Sequence, residues 1–150
     1  MTLQNILTLA CTECAVPANS KKHILETICN IAADQTDQHD CSSLLESLLN
    51  REKMGSTGIG NGIAIPHGKV AHMSKAIAIL LTTEKAVNFD AIDNKPVDIF
   101  ICLFVPQDCT QEHLETLQSI AKLFSERKIA KQIRKCTNKQ ALFSLIQQAS

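Results

Sequence analysis

Residues 51–69 read REKMGSTGIGNGIAIPHGK. All five glycines of the chain, Gly55, Gly58, Gly60, Gly62 and Gly68, lie in this stretch. Backbone freedom is therefore concentrated at one place, where positive φ and close backbone approach are permitted. Inside it runs a short apolar segment, Ile63-Ala64-Ile65, followed by Pro66 and His67. A β-branched run that meets proline predicts a strand that stops there. Proline holds its own φ and pushes Ile65 into extended geometry. The pattern thus places His67 at a strand end, followed by Gly68 and a loop, as a rigid mount for one imidazole on an open surface. A lone histidine is more often an ordinary surface or capping residue. The glycine concentration and the Pro-His-Gly punctuation argue against that here.

Working outward, residues 2–17 read as a short leading segment with a strand near Ala15–Val16. Ser20 is a candidate N-cap, and Ile24, Leu25, Ile28, Ile31 and Ala32 recur at helical spacing to about Ala33. Asp34–Asp40 is a polar loop. Ser42 or Ser43 is expected to start a second helix with Leu44, Leu45, Leu48 and Leu49 on one face. That helix ends near Glu52 and delivers Arg51 to the glycine-rich segment. Beyond His67, Ala76–Thr82 predicts an apolar strand and Ala86–Phe89 a short one. Asp90–Lys95 predicts a turn, and Val97–Val105 a buried strand ended by Pro106. Thr110 is the expected cap of a third helix, with Leu114, Leu117, Ile120, Ala121 and Phe124 as its apolar face. A basic helix over Arg127–Lys135 and a last amphipathic helix from Asn138 complete the chain. Apolar strands between amphipathic helices imply one α/β sandwich over residues 1–150, a mixed β-sheet flanked by helices.

Composition removes several functions. The chain has five Phe, no Trp and no Tyr, so it lacks stacking platforms for single-stranded nucleic acid. Its formal net charge is zero, so no overall field draws it to phosphate backbones or anionic lipid. No apolar run has the length of a membrane span. Seven cysteines invite a disulfide framework, which would need a secretory leader. No Lys or Arg precedes Lys21, and Gln4 and Asn5 interrupt the first apolar run, so the thiols are expected to be reduced in a cytoplasm. Cys29 and Cys102 lie in apolar stretches and read as small core residues. Cys11-x-x-Cys14 has metal-ligand spacing, but no second pair answers it, so no metal is expected.

The glycine-rich stretch fails both nucleotide patterns. Gly58-x-Gly60 is followed by Ile63 where the dinucleotide fingerprint needs a third glycine, and a strand follows rather than a helix. Gly68-Lys69 precedes Val70, and Ile63 stands where a P-loop begins with glycine. Neither Ser56 nor Ser74 lies in a nucleophile elbow. What remains is His67 itself as nucleophile, since neutral imidazole can accept and release a phosphoryl group near neutral pH. Such a site needs positive charge around the phosphoryl oxygens. Arg51 is one candidate, with a planar fork suited to two oxygens; its ordinary role would be a cation at a helix C-terminus. His113 is the other, in the first turn of the third helix; its ordinary role would be a core-edge histidine.

These segments closely resemble the phosphotransferase-system IIA proteins of the fructose/mannitol type, above all their nitrogen-regulatory branch. The resemblance is carried by REKMGSTGIG, IPHGK and FDAIDNKPVD. It is also carried by Val105-Pro106-Gln107-Asp108-Cys109-Thr110-Gln111-Glu112-His113-Leu114, and it covers the chain from about Ser20 onward. It implies that His67 is the phosphoryl acceptor, with Arg51 and His113 flanking it. It implies a donor, an HPr-like phosphocarrier (NPr), and no metal or nucleotide cofactor. The resemblance further implies that phosphorylation state controls regulatory targets such as potassium-uptake or sensor systems. Two other readings are a sugar-transport IIA component feeding a IIB protein, and a binding module without phosphoryl chemistry. The basic cluster Arg127, Lys128, Lys131, Arg134, Lys135 and Lys139 is either a solvated face or a docking site for an acidic partner.

Overall fold

The structure, a computed structural model, describes residues 2–108 and 110–149, with only the backbone of Thr110. Its elements in chain order are α1 (Leu3–Ile6), a 3-10 turn (Leu9–Cys11), β1 (Thr12–Val16), α2 (Lys21–Ala33) and α3 (Cys41–Glu52). Then come β2 (Gly58–Gly60), β3 (Ile63–Ala64), β4 (His67–Val70), β5 (Ile77–Val87) and β6 (Val97–Pro106). Three helices close the chain: α4 (Thr110–Phe124), α5 (Arg127–Lys135) and α6 (Lys139–Gln148). The sheet is mixed, in the order β1-β5-β6-β3-β2, with β4 also pairing β6. Strand β6 is its spine. It pairs antiparallel with β5 and parallel with both β3 and β4, and nearly all of its residues are buried. That burial on both faces explains its apolar run from Ile99 to Val105.

The expected stop comes at Ala64, but after Ile65-Pro66 the chain returns to the same edge of β6. Ile63 and Ala64 face Ile99 and Phe100, and His67–Val70 face Leu103–Pro106 in the same register. Proline removes one ladder donor, but its carbonyl still accepts from Leu103 N–H at 3.0 Å. The neighbouring Ile65 N–H turns the other way, to the Thr57 carbonyl at 3.0 Å. The chain therefore re-enters the sheet two residues later, and His67 begins β4 rather than ending a strand before a loop.

Other boundaries moved for equally local reasons. Asp40, not Ser42 or Ser43, caps α3; its carboxylate accepts from Ser43 N–H at 2.8 Å. The expected strands 76–82 and 86–89 form one strand, β5, whose pairing skips between Thr82 and Val87. The exposed Glu84 and Lys85 sit in that irregular stretch, which keeps extended geometry while losing the ladder. The leading segment holds more structure than expected, including a five-residue β1 parallel to β5. Helix α4 starts at Thr110 itself; the side chain of Thr110 and the residue before it lie outside what is described. The Ser20 and Asn138 caps form as expected, each accepting a backbone N–H in the first turn.

The six cysteines other than Cys109, which lies outside the described residues, are free thiols. Burial pushes the Cys29 thiol up to about 12 and raises Cys102 well above its ordinary range, so both stay protonated in the core. The Cys14 thiol donates to the Cys136 carbonyl at 3.2 Å. Among the described residues, no three His, Cys, Asp or Glu side chains converge on a metal position, and no helix is long and apolar enough to cross a membrane.

Gly68 sets the distance between α3 and the sheet. A Cβ there would lie 2.8 Å from Ser47 Cβ and 2.9 Å from the Ser47 carbonyl carbon. Adjacent residues of a strand face opposite sides. Gly68 therefore turns toward α3, and His67 toward the α4 side. We expect Gly68→Ala to cost about 1–3 kcal/mol in chemical unfolding, because a backbone atom cannot move aside as a side-chain tip can. Wild-type stability would show that α3 does not press on β4.

Candidate phosphoryl-acceptor site

His67 is held at both ring nitrogens. Its Nδ1 lies 2.8 Å from the Ile65 carbonyl oxygen, which can only accept. The Nδ1 proton is thereby assigned, and Nε2 is left with its lone pair. Arg51 Nε donates to that Nε2 at 3.2 Å, and Arg51 Nη1 donates to the Gly55 carbonyl at 2.8 Å. Half burial lowers the basicity of the imidazole below its ordinary range. The Ile65 carbonyl opposes this, while the nearby Arg51 cation adds to it. The ring is therefore a neutral nucleophile whose open nitrogen faces a cation. Burial of the neutral form contributes stability above the ordinary histidine pKa, and that stability is lost as pH falls toward the lower folded value.

A second set of contacts pins the segment that carries Arg51. Glu52, whose side chain is only 6% exposed, accepts from the Thr57 backbone N–H at 3.1 Å and from the Thr57 hydroxyl. Lys21 at the start of α2 pairs with the same carboxylate at 2.9 Å, and its ammonium lies 4.6 Å from the centre of the Phe89 ring. The turn between α3 and β2 is thus tied on two sides, through Arg51 to Gly55 and through Glu52 to Thr57. Sequence reading passed over Glu52, Thr57 and Lys21. The signal was present only as a carboxylate five residues before a threonine at a helix exit.

A cavity of about 290 Å³ opens beside the ring, lined by Arg51, Thr57, Ile59 and Ile65 and by Leu114, Leu117, Gln118 and Ala121 of α4. Here the expected face of α4 needs correction. Ile120 and Phe124 are buried, but Leu114 is 49% exposed, while His113 and Thr116 are each 3% exposed. The buried stripe runs through His113, Thr116, Ile120 and Phe124, and the leucines flank it over the open cavity. His113 is thus on the right helix, one residue from a lining leucine, yet its side chain is packed inward. Its Nδ1 is buried without a hydrogen-bond partner, and among the described residues no hydrogen bond joins it to His67 or Arg51. The structure brings Arg51 to His67 directly, while His113 is buried and is not among the residues lining the cavity.

Two measurements test this geometry. Arg51→Met removes one of the causes that lower the His67 pKa, so the imidazole midpoint followed by NMR should rise; an unchanged midpoint would contradict the contact. Glu52→Ala strands a buried N–H and an ammonium, and should lower unfolding free energy by about 1–3 kcal/mol, with Glu52→Gln milder because its amide oxygen still accepts. Equal stability of all three proteins would remove the Glu52 anchor.

Residues 5–149 match the family described as the phosphoenolpyruvate-dependent sugar phosphotransferase system, EIIA 2. The chain is 43% identical to the nitrogen regulatory protein of Klebsiella oxytoca over 148 residues, covering 98% of this chain and 91% of that one. It is 39% identical to the nitrogen regulatory protein of Pseudomonas aeruginosa, covering 96% and 94% of the two chains. Among solved structures, the nitrogen regulatory protein IIA-Ntr of Neisseria meningitidis superposes with a TM-score of 0.88 at 32% identity, over 96% of this chain and 98% of that one. The mannitol IIA of Escherichia coli, at 16% identity and a TM-score of 0.71 over 97% and 98% of the two chains, shares the fold. The chain therefore belongs to the fructose/mannitol-type IIA family of the phosphotransferase system, on its nitrogen-regulatory branch.

Proposed function

We propose that this chain is a single-domain cytoplasmic phosphoryl acceptor that takes its phosphoryl group on His67 Nε2 from an HPr-like phosphocarrier (NPr). It then regulates other proteins through its phosphorylation state. The observation that carries this reading is the assigned tautomer: a neutral ring with Nδ1–H fixed on a carbonyl and Nε2 facing Arg51. In the transfer, the Nε2 lone pair attacks phosphorus of the carrier's phosphohistidine. A new N–P bond forms as the carrier's N–P bond breaks, and the carrier's imidazole leaves with that electron pair. The Ile65 carbonyl stabilises the positive charge that the His67 ring acquires, through Nδ1–H. Arg51 gives up its bond to Nε2 and turns its fork to the phosphoryl oxygens. His113, on the helix that supplies Leu114 and Leu117 to the cavity, offers a buried imidazole nitrogen with free hydrogen-bonding capacity.

Phosphorylation adds up to two negative charges to a face bordered by the exposed Leu114 and Ile59. A partner fitted to the neutral face must then bury a dianion, which is ample to release it. Regulatory targets of the potassium-uptake or sensor type fit this scheme.

The test is incubation with phosphoenolpyruvate, enzyme I and each carrier protein. We expect an acid-labile, base-stable label on wild-type protein and none on His67→Ala. Arg51→Met and His113→Gln should fold and slow transfer by roughly two orders of magnitude at most. Full labelling of His67→Ala would reject His67 as acceptor. Efficient passage of the group to a sugar-specific IIB protein would reassign the chain to transport, and equal partner affinity in both states would reject the switch.

A further inference from the structure

Helix α5 reads RKIAKQIRK: five cations and no acid in nine residues. The whole chain balances 15 cations with 15 acids, so this helix concentrates one sign of charge locally. A groove of about 460 Å³ runs beside it, walled by Arg127, Lys131, Arg134 and Lys135, with no carboxylate in its lining. Ile63 and Phe124, 1% and 0% exposed, close its floor.

One of the four cations is already engaged. Arg134 forks onto Asp98 at 2.9–3.1 Å and donates from Nη2 to the Asn61 carbonyl at 2.7 Å. That pairing fixes the groove wall against the Asn61-Gly62 turn. A side chain at Gly62 would collide with the Arg134 fork and lie 2.9 Å from Asp98 Oδ1. Among the described residues, Arg127, Lys131 and Lys135 make no ion pair. Three cations thus border the groove with no carboxylate in its lining, and an anionic occupant would be attracted there.

The groove is also in line with the His67 cavity. Helix α4 lines that cavity with Leu114, Leu117 and Ala121, and lines the groove with its last residue, Phe124. One helical turn, about 5 Å, separates Ala121 from Phe124. The occupant's chemistry follows from what the groove lacks. Its apolar side chains are recessed, so nothing protrudes to insert into lipid. Its one aromatic ring is buried, so no base can stack on it. A narrow cationic groove with a closed floor suits an extended polypeptide bearing carboxylates.

We propose that the α5 groove docks an acidic segment of a protein partner. This is independent of phosphoryl chemistry at His67. The probe is a fluorescently labelled peptide of alternating Glu and Gly residues, titrated with the full-length unphosphorylated protein at low salt. Wild-type protein should bind it saturably, more weakly as salt rises, and the peptide should shift the NMR amides of residues 127–135. Lys131→Glu/Lys135→Glu should lose about tenfold or more in affinity. Lys131→Gln/Lys135→Gln, which adds no repulsion, should lose less in the same direction. Lys22→Glu/Lys85→Glu makes the same change in net charge at exposed positions away from the groove, and should stay within about twofold of wild type. No saturable binding by wild type, or equal losses in the groove and control pairs, would overturn the proposal. So would tighter binding of duplex DNA or phosphatidylserine vesicles than of the peptide, abolished by the same groove substitutions.

Discussion

The separation between α3 and the sheet is the constraint from which the site follows. At Gly68 the helix backbone of Ser47 comes so close to β4 that no Cβ fits between them. That contact places the last turn of α3 beside the first residue of β4. Arg51 can then reach His67 Nε2 with its fork still anchored on Gly55. A wider gap would leave the guanidinium in solvent, where a flexible cation contributes little to a developing charge. The same strand faces the other way at His67, toward α4, so one glycine lets a single strand serve both a packed face and a reactive one.

Charge at the site is arranged in two layers. Arg51 faces the open nitrogen of a neutral ring, while Glu52, the next residue, is buried and consumed by Thr57 and Lys21. Adjacent residues on a helix point in different directions, so an Arg-Glu pair in sequence is not an ion pair in space. One points its guanidinium at the imidazole and the other holds the turn that aims it. The neutrality of His67 arises mainly from burial, which a surface strand achieves only because α4 lays Leu114 and Leu117 across the cavity.

The register of residues 63–70 along β6 links the two functional regions. Its lower end meets Asp98 and the α5 groove, and its upper end presents His67 opposite Leu103. Proline interrupts this run for two residues only, because the β6 backbone uses its carbonyl and not the N–H it lacks. Pairing then resumes at His67 and runs through Val70.

Much was legible before any coordinates. Apolar periodicity placed α2, α3 and α6, a basic run placed α5, and a continuous apolar run placed the spine strand β6; the glycine-rich stretch with Pro66-His67-Gly68 marked the candidate site, because these signals are local and chemical. Ser20 and Asn138 announced their caps for the same reason. What sequence alone could not decide were relations between segments: that β5 would bridge a charged interruption, that Leu114 would be exposed while His113 and Thr116 were buried, and that Glu52 would close on Thr57 and Lys21. Helical spacing identifies a stripe only to within a residue, and which residue turns inward depends on what the neighbouring strand leaves open. The candidate acceptor, His67, was marked by one short segment. Its tautomer, its neutrality and its cationic partner were set by a carbonyl, a helix end and a cavity wall that only the folded chain brings together.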